Sequence, residues 1–232
     1  YAQLGFPLLT AALSGRPTVA AGAFALAAMA AFVAHEPAAV VMGVRGTRAR
    51  REDGPRAKRW LAGLGGAAFG FGALGFAFAP GARPYALASV ALALLSAVVL
   101  YERKERTRPG EILAATAMAG AGAPVAAAAG VPIFWILACW AVWSVQSAMT
   151  TLAVRTMIVR GRPWATLALT AGALVVAGLA GRTVAVALAP VAAVCTFIVL
   201  ASLTPKSLRA AGLVLAVAML FTAASLAVGA HT

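Results

Sequence analysis

The chain has 232 residues, is 62% hydrophobic, and carries 19 basic against six acidic residues for a net charge of +13, with a mean hydropathy of +0.92. Soluble domains are about 45–50% apolar and about 25% charged, so this composition excludes a soluble globular fold and points to a polytopic membrane protein. A nucleic-acid-binding surface would gather its cations on one soluble face. Here they sit in short loops between apolar runs, so no nucleic acid is expected.

Reading apolar runs against Gly, Pro and Arg breaks predicts nine spans, at about 1–14, 18–44, 60–79, 84–101, 111–129, 131–158, 164–181, 183–203 and 208–229. Together they form one integral-membrane domain over 1–232, an all-α helix bundle. The first run is short of the roughly 17–25 residues a spanning helix needs, and a few residues are expected to precede Tyr1.

The second span contains Phe32-Val33-Ala34-His35-Glu36-Pro37, which sets a histidine, a carboxylate and a proline in apolar sequence. Ionisable residues inside a membrane-length segment are costly and mark candidate functional sites. Pro37 cannot donate to Val33, so the helix should bend or open there and line a polar cavity. Pairing of Glu36 with an arginine or hydroxyl of a neighbouring span is the structural alternative. The loop that follows holds Arg45, Arg48, Arg50 and Arg51, a run suited to anionic lipid headgroups at about 1 kcal/mol per cation. Beyond it, the third span is rich in glycine, with Gly63, Gly66, Gly70, Gly72 and Gly75 at spacings that let helices approach closely.

Tyr101 ends the fourth span and opens the charged turn Glu102 to Glu111, in which Lys104 stands between Arg103 and Glu105. Alternating signs in such a turn usually neutralise one another in solvent. The sixth span carries Trp143, Ser144, Gln146, Ser147, Thr150, Thr151 and Arg155. Ser144, Ser147, Thr151 and Arg155 recur at three- and four-residue steps along one face, which should meet protein or water, with Arg155 able to hold a phosphate, carboxylate or carbonyl oxygen. Cys139 and Cys195 lie in apolar sequence without metal-ligand spacing and read as small buried side chains.

If the spans alternate, sixteen basic residues fall at one end of the bundle and only Arg16, Arg83 and Arg182 at the other. The positive-inside rule then puts the basic loops and the N-terminus in the cytoplasm and the C-terminus outside. With one aspartate in the chain, no Asp-rich metal site, phosphate-binding loop or Ser-His-Asp set can be drawn. No metal and no cofactor are identified.

The opening Tyr1-Ala2-Gln3-Leu4-Gly5-Phe6-Pro7, the Ala34-His35-Glu36-Pro37 step with its basic loop, the Glu105/Arg106 to Gly110-Glu111 turn and the Trp143-Ser144-Val145-Gln146-Ser147 to Arg155 segment resemble the YwiC-like family of uncharacterised bacterial membrane proteins. More distantly, nine helices with polar motifs after spans 2, 4 and 6 resemble the UbiA superfamily of intramembrane prenyltransferases. That resemblance implies a UbiA-like bundle whose cytoplasmic-side cavity takes a quinone- or isoprenoid-type lipid. The superfamily's Asp-rich magnesium motifs correspond here to the His35-Glu36 region and to Arg155 with Arg160, and two cations cannot chelate magnesium. The resemblance places Tyr101 and Lys104 or Arg106 at the third motif.

The expected ligand site is therefore His35, Glu36, Tyr101, Lys104, Ser147, Thr151 and Arg155, with Arg45, Arg48, Arg50 and Arg51 meeting lipid headgroups. Expected partners are membrane lipids, the quinone or isoprenoid ligand, and proteins of a membrane complex. Lipid binding is the leading reading. A divergent transferase with Glu36 or His35 as base, a non-catalytic subunit or assembly factor, and a transporter are the alternatives.

Overall fold

A computed structural model describes residues 2–102, 104, 107–159, 163–201 and 207–231, and every regular element among them is helical. In chain order these are α1 (Ala2–Leu13), α2 (Val19–Val41), α3 (Thr47–Phe78), a 3-10 turn (Pro80–Ala82), α4 (Arg83–Tyr101), α5 (Arg108–Gly120), α6 (Gly122–Ala128), α7 (Ile133–Val159), α8 (Pro163–Ala180), α9 (Arg182–Leu200) and α10 (Leu208–Gly229). Seven segments are long and apolar enough to cross a membrane, with α5 and α6 counting as one, while α1 and α8 are shorter apolar helices. The chain is an all-α, multi-pass membrane helix bundle.

Short connections make neighbouring helices antiparallel, and contacts between distant parts of the chain tie each end together. At one end the backbone N–H of Arg16 donates to Ala129 at 2.9 Å, Thr18 Oγ1 donates to Ala128 at 3.0 Å, and His231 Nε2 lies 3.0 Å from the Leu13 carbonyl. At the other, here called the basic end, Arg155 meets Glu111. Trp60 directly follows Arg59, Tyr101 ends α4 and Trp164 opens α8; all three rings are exposed, so each change from charged to apolar sequence there carries an interfacial aromatic. Arg103, Glu105, Arg106, Arg160, Arg162 and Lys206, assigned to this end by sequence, lie outside the described residues, as does Tyr1.

Two apolar cores result. One gathers α7, α8, α9 and α10 around Met149, Cys195, Ile198 and Leu226; the other gathers α1, α2, α4 and α6 around Leu4, Phe24, Val125 and Ile136. Trp135 and Trp140 of α7 pack against both cores, and Phe6 of α1 reaches the first from the second, so α7 and α1 bridge them. α3 packs chiefly on α2, with Gly75 against the Phe24 ring and Gly72 against Ala27.

Three boundaries differ from the sequence reading. α2 continues through Pro37 and stops at Val41, because Gly43, at φ +75°, closes a Schellman turn in which Val44 N–H bonds Ala39 and Gly43 N–H bonds Val40. α3 starts at Thr47 instead of near 60, since Arg, Ala, Glu and Lys favour helix and Arg48 pairs with Glu52 one turn on, at 2.9 Å. Arg48, Arg50 and Arg51 therefore stand on a helix and not in a loop.

The third difference is the break at Ala121, which divides the expected span 111–129 into α5 and α6. Pro124 has no N–H for the Gly120 carbonyl four residues back. Ser89 Oγ of α4 donates to that carbonyl instead, at 3.0 Å. Pro190 lies inside α9, and one turn before it Thr222 of α10 donates to the Ala187 carbonyl at 2.7 Å, tying the two helices together. Ser89→Ala should lower unfolding stability in detergent by about 1 kcal/mol. In the Pro124→Ala background, where an N–H is restored, the same change should cost less than half of that; equal losses in both backgrounds would show that the hydroxyl is not answering the proline.

Candidate functional site

Glu36 lies about 8 Å inside the end of α2, at 1.5 Å per residue. Arg45, carried back by the Gly43 turn, grips it with both forks: Nε donates to Oε1 at 2.9 Å and Nη2 to Oε2 at 2.8 Å. The Glu36 side chain is 63% exposed and that of Arg45 27%. His35, the next residue, is also exposed. This carboxylate is thus taken up within its own helical hairpin, facing outward from the bundle.

The turn after α4 is held by its own groups. Thr107 caps α5 by accepting from Gly110 N–H at 3.3 Å, and it donates through Oγ1 to the Lys104 carbonyl at 2.7 Å. A side chain on residue 110 would strike that same carbonyl, so the glycine allows the close approach. Lys104 Nζ lies 2.8 Å from Glu102. Hydrogen bonding and charge from that carboxylate hold the ammonium above its usual range. Tyr101 is exposed beside them.

On α7, Arg155 Nη1 donates to Glu111 Oε2 of α5 at 2.7 Å, with the two side chains only 27% and 29% exposed. Thr151, one turn inward, is half-buried, and Ser147, a further turn in, is fully buried. Glu111 is the partner that sequence reasoning did not place in the site; its signal was its rarity, as one of six acids in the chain. Trp143 and Gln146, also left out of that set, are 1% and 0% exposed, and the Trp143 ring stacks on Phe6 of α1 at 6.1 Å.

The expected set is therefore brought together as separate pairs. Glu36 joins Arg45, Lys104 joins Glu102, Arg155 joins Glu111, and Ser147 with Thr151 leads from the last pair into the bundle. Arg48 is bonded to Glu52, while Arg50 and Arg51 are exposed on α3, with Arg50 lying beside Gly43. Among the described residues no three of His, Cys, Asp and Glu come together as metal ligands would.

Losing one member of a half-buried pair strands the other charge. Arg155→Leu should therefore lower unfolding stability by about 2 kcal/mol, and adding Glu111→Leu should recover most of it. Glu36→Gln, at an exposed pair, should cost about 0.5 kcal/mol. Thermal unfolding of the four proteins checks the ranking, which fails if Glu36→Gln is the costliest.

No curated protein and no solved structure matches the chain. The family model of YwiC-like proteins matches residues 1–127, which run from α1 to the end of α6 and include His35, Glu36, the basic start of α3 and Glu111. That is more than half of the chain, and the protein belongs to the YwiC-like family.

Proposed function

We propose that this membrane protein binds a quinone- or isoprenoid-type lipid at its basic end, on the cytoplasmic side of the bacterial inner membrane, in a UbiA-like manner without an Asp-rich magnesium site. The observation that carries the reading is the Glu111–Arg155 pair, 2.7 Å long and under one-third exposed, at the end of the α5–α7 seam. Thr151 and Ser147 continue from it toward the bundle centre. A guanidinium held at the boundary of polar and apolar surroundings suits an oxygen-rich head, and the Ala-rich α5 offers a smooth wall for a tail. At the same basic end of the bundle His35, Glu36, Tyr101 and Lys104, with the cations of α3, offer a polar surface to which anionic lipid is attracted.

A second reading, as a non-catalytic subunit of a larger membrane complex, is favoured by α3. Gly63, Gly66 and Gly70 share one face of it with open space around each, the close-packing pattern of a membrane helix pair. Native-gel migration at more than the monomer mass, lost in Gly66→Leu/Gly70→Leu, would support that reading over the first.

Lipid extracted from the purified full chain and identified by mass spectrometry tests the first reading. A quinone or isoprenoid should accompany the wild type, fall at least fivefold with Arg155→Leu, and persist with Arg51→Ala. No such lipid in the wild type, or undiminished lipid in Arg155→Leu, sinks the proposal. The orientation is tested separately in intact cells. A membrane-impermeant thiol reagent should label cysteine at position 182 and spare cysteine at position 48, and the reverse pattern inverts the topology.

A further inference from the structure

Buried hydroxyls in this bundle are satisfied by main-chain carbonyls. Thr10 donates to Phe6, Ser14 to Thr10, Thr150 to Ser147, Thr170 to Thr166 and Thr222 to Ala187, all at 2.7 to 3.0 Å. Three buried polar side chains on α7 break this pattern. Trp143 Nε1, both amide atoms of Gln146 and Ser147 Oγ are buried without a hydrogen-bond partner, in side chains 1%, 0% and 0% exposed. Steps of three and four residues put them on one helical face. Buried polar atoms are paired as a rule, by protein or by something bound, and hydrocarbon offers no substitute.

We infer that Trp143, Gln146 and Ser147 form an internal seat for a neutral oxygen-bearing ligand group. The chemistry follows from the donor set. The indole N–H, the amide NH2 and the hydroxyl supply donors, and Gln146 Oε1 and Ser147 Oγ supply acceptors. This matches a neutral oxygen that accepts two bonds and can return one. An anion finds no cation in the set, and the nearest on α7 is Arg155, eight residues along the helix and engaged with Glu111. Of the three, Trp143 also lines a cavity of about 10 Å³ shared with Trp140, Ala119, Pro7 and Ser14, close to the least space that takes one water. Phe6 covers the Trp143 ring from α1. A trapped water and the hydroxyl or carbonyl head of an apolar molecule share this chemistry. The seat does not depend on a lipid occupying the α5–α7 end.

The test uses the full chain in detergent, labelled with nitrogen-15 at tryptophan, with the Trp143 indole resonance assigned by its loss in Trp143→Phe. If water fills the seat, the Trp143 indole proton shows a cross-peak to a long-lived water. If a molecular head fills it, the resonance moves on delipidation, and an oxygenated lipid found by mass spectrometry falls at least fivefold in Gln146→Met/Ser147→Ala. Either result supports the seat. An indole proton with no water cross-peak and no response to delipidation overturns it. A higher melting temperature in Gln146→Met also overturns it, because deleting atoms that have no partner is stabilising, whereas deleting one side of a bonded set is not.

Discussion

In hydrocarbon a backbone N–H or C=O has no water to fall back on, and the whole bundle depends on that constraint. Helices meet it along their length but not at their ends or at prolines, and several polar side chains stand at those places. Ser89 reaches the carbonyl orphaned by Pro124, Thr222 reaches α9 beside Pro190, and Thr18 caps α2 while bonding the end of α6. Gly43 and Gly130, at φ +75° and +79°, fold the last turns of α2 and α6 back onto their own carbonyls. These same contacts join α4 to α5, α9 to α10 and α2 to α6, so satisfying the backbone also fixes which helices are neighbours.

The spans were legible in the sequence because apolar length and Gly/Pro/Arg punctuation are local signals. α7 to α10 fall within a few residues of the runs that announce them. What was not legible lies between residues far apart or in the competition of propensity with charge. Nothing in the charged stretch 45–59 says that its helix formers outweigh its like charges, yet α3 begins at Thr47. Pro37 and Pro124 look alike as letters. The first lies inside a continuous helix, and the second accompanies a break where a hydroxyl from another helix waits for the carbonyl. The ion pairs have the same limit. Glu36 and Arg45 become partners through the geometry of one glycine turn, and Glu111 and Arg155 through packing across 44 residues.

The placement of charge bears on what the bundle can accommodate. Although the chain carries +13, four of its six acids each meet a cation in pairs set near the ends of helices at the basic end: Glu36 with Arg45, Glu52 with Arg48, Glu102 with Lys104 and Glu111 with Arg155. Pairs at that level keep some contact with water and spare the interior the cost of an isolated ion. The ends therefore handle anions and cations, and the depth of the bundle is left to uncharged groups.

That division separates the two halves of the molecule. The family match ends at residue 127, so the matched portion supplies the hairpin of α2 and α3, the capped turn before α5 and Glu111. The part beyond it supplies α7, which closes Glu111 with Arg155 and carries the neutral polar face inward past Ser147 to Trp143. Because α7 packs against both apolar cores, its polar face cannot turn toward lipid without breaking its packing in each of them. The face is locked at the centre by packing on both sides, and the polarity there is a fixed property of the bundle that any occupant must match.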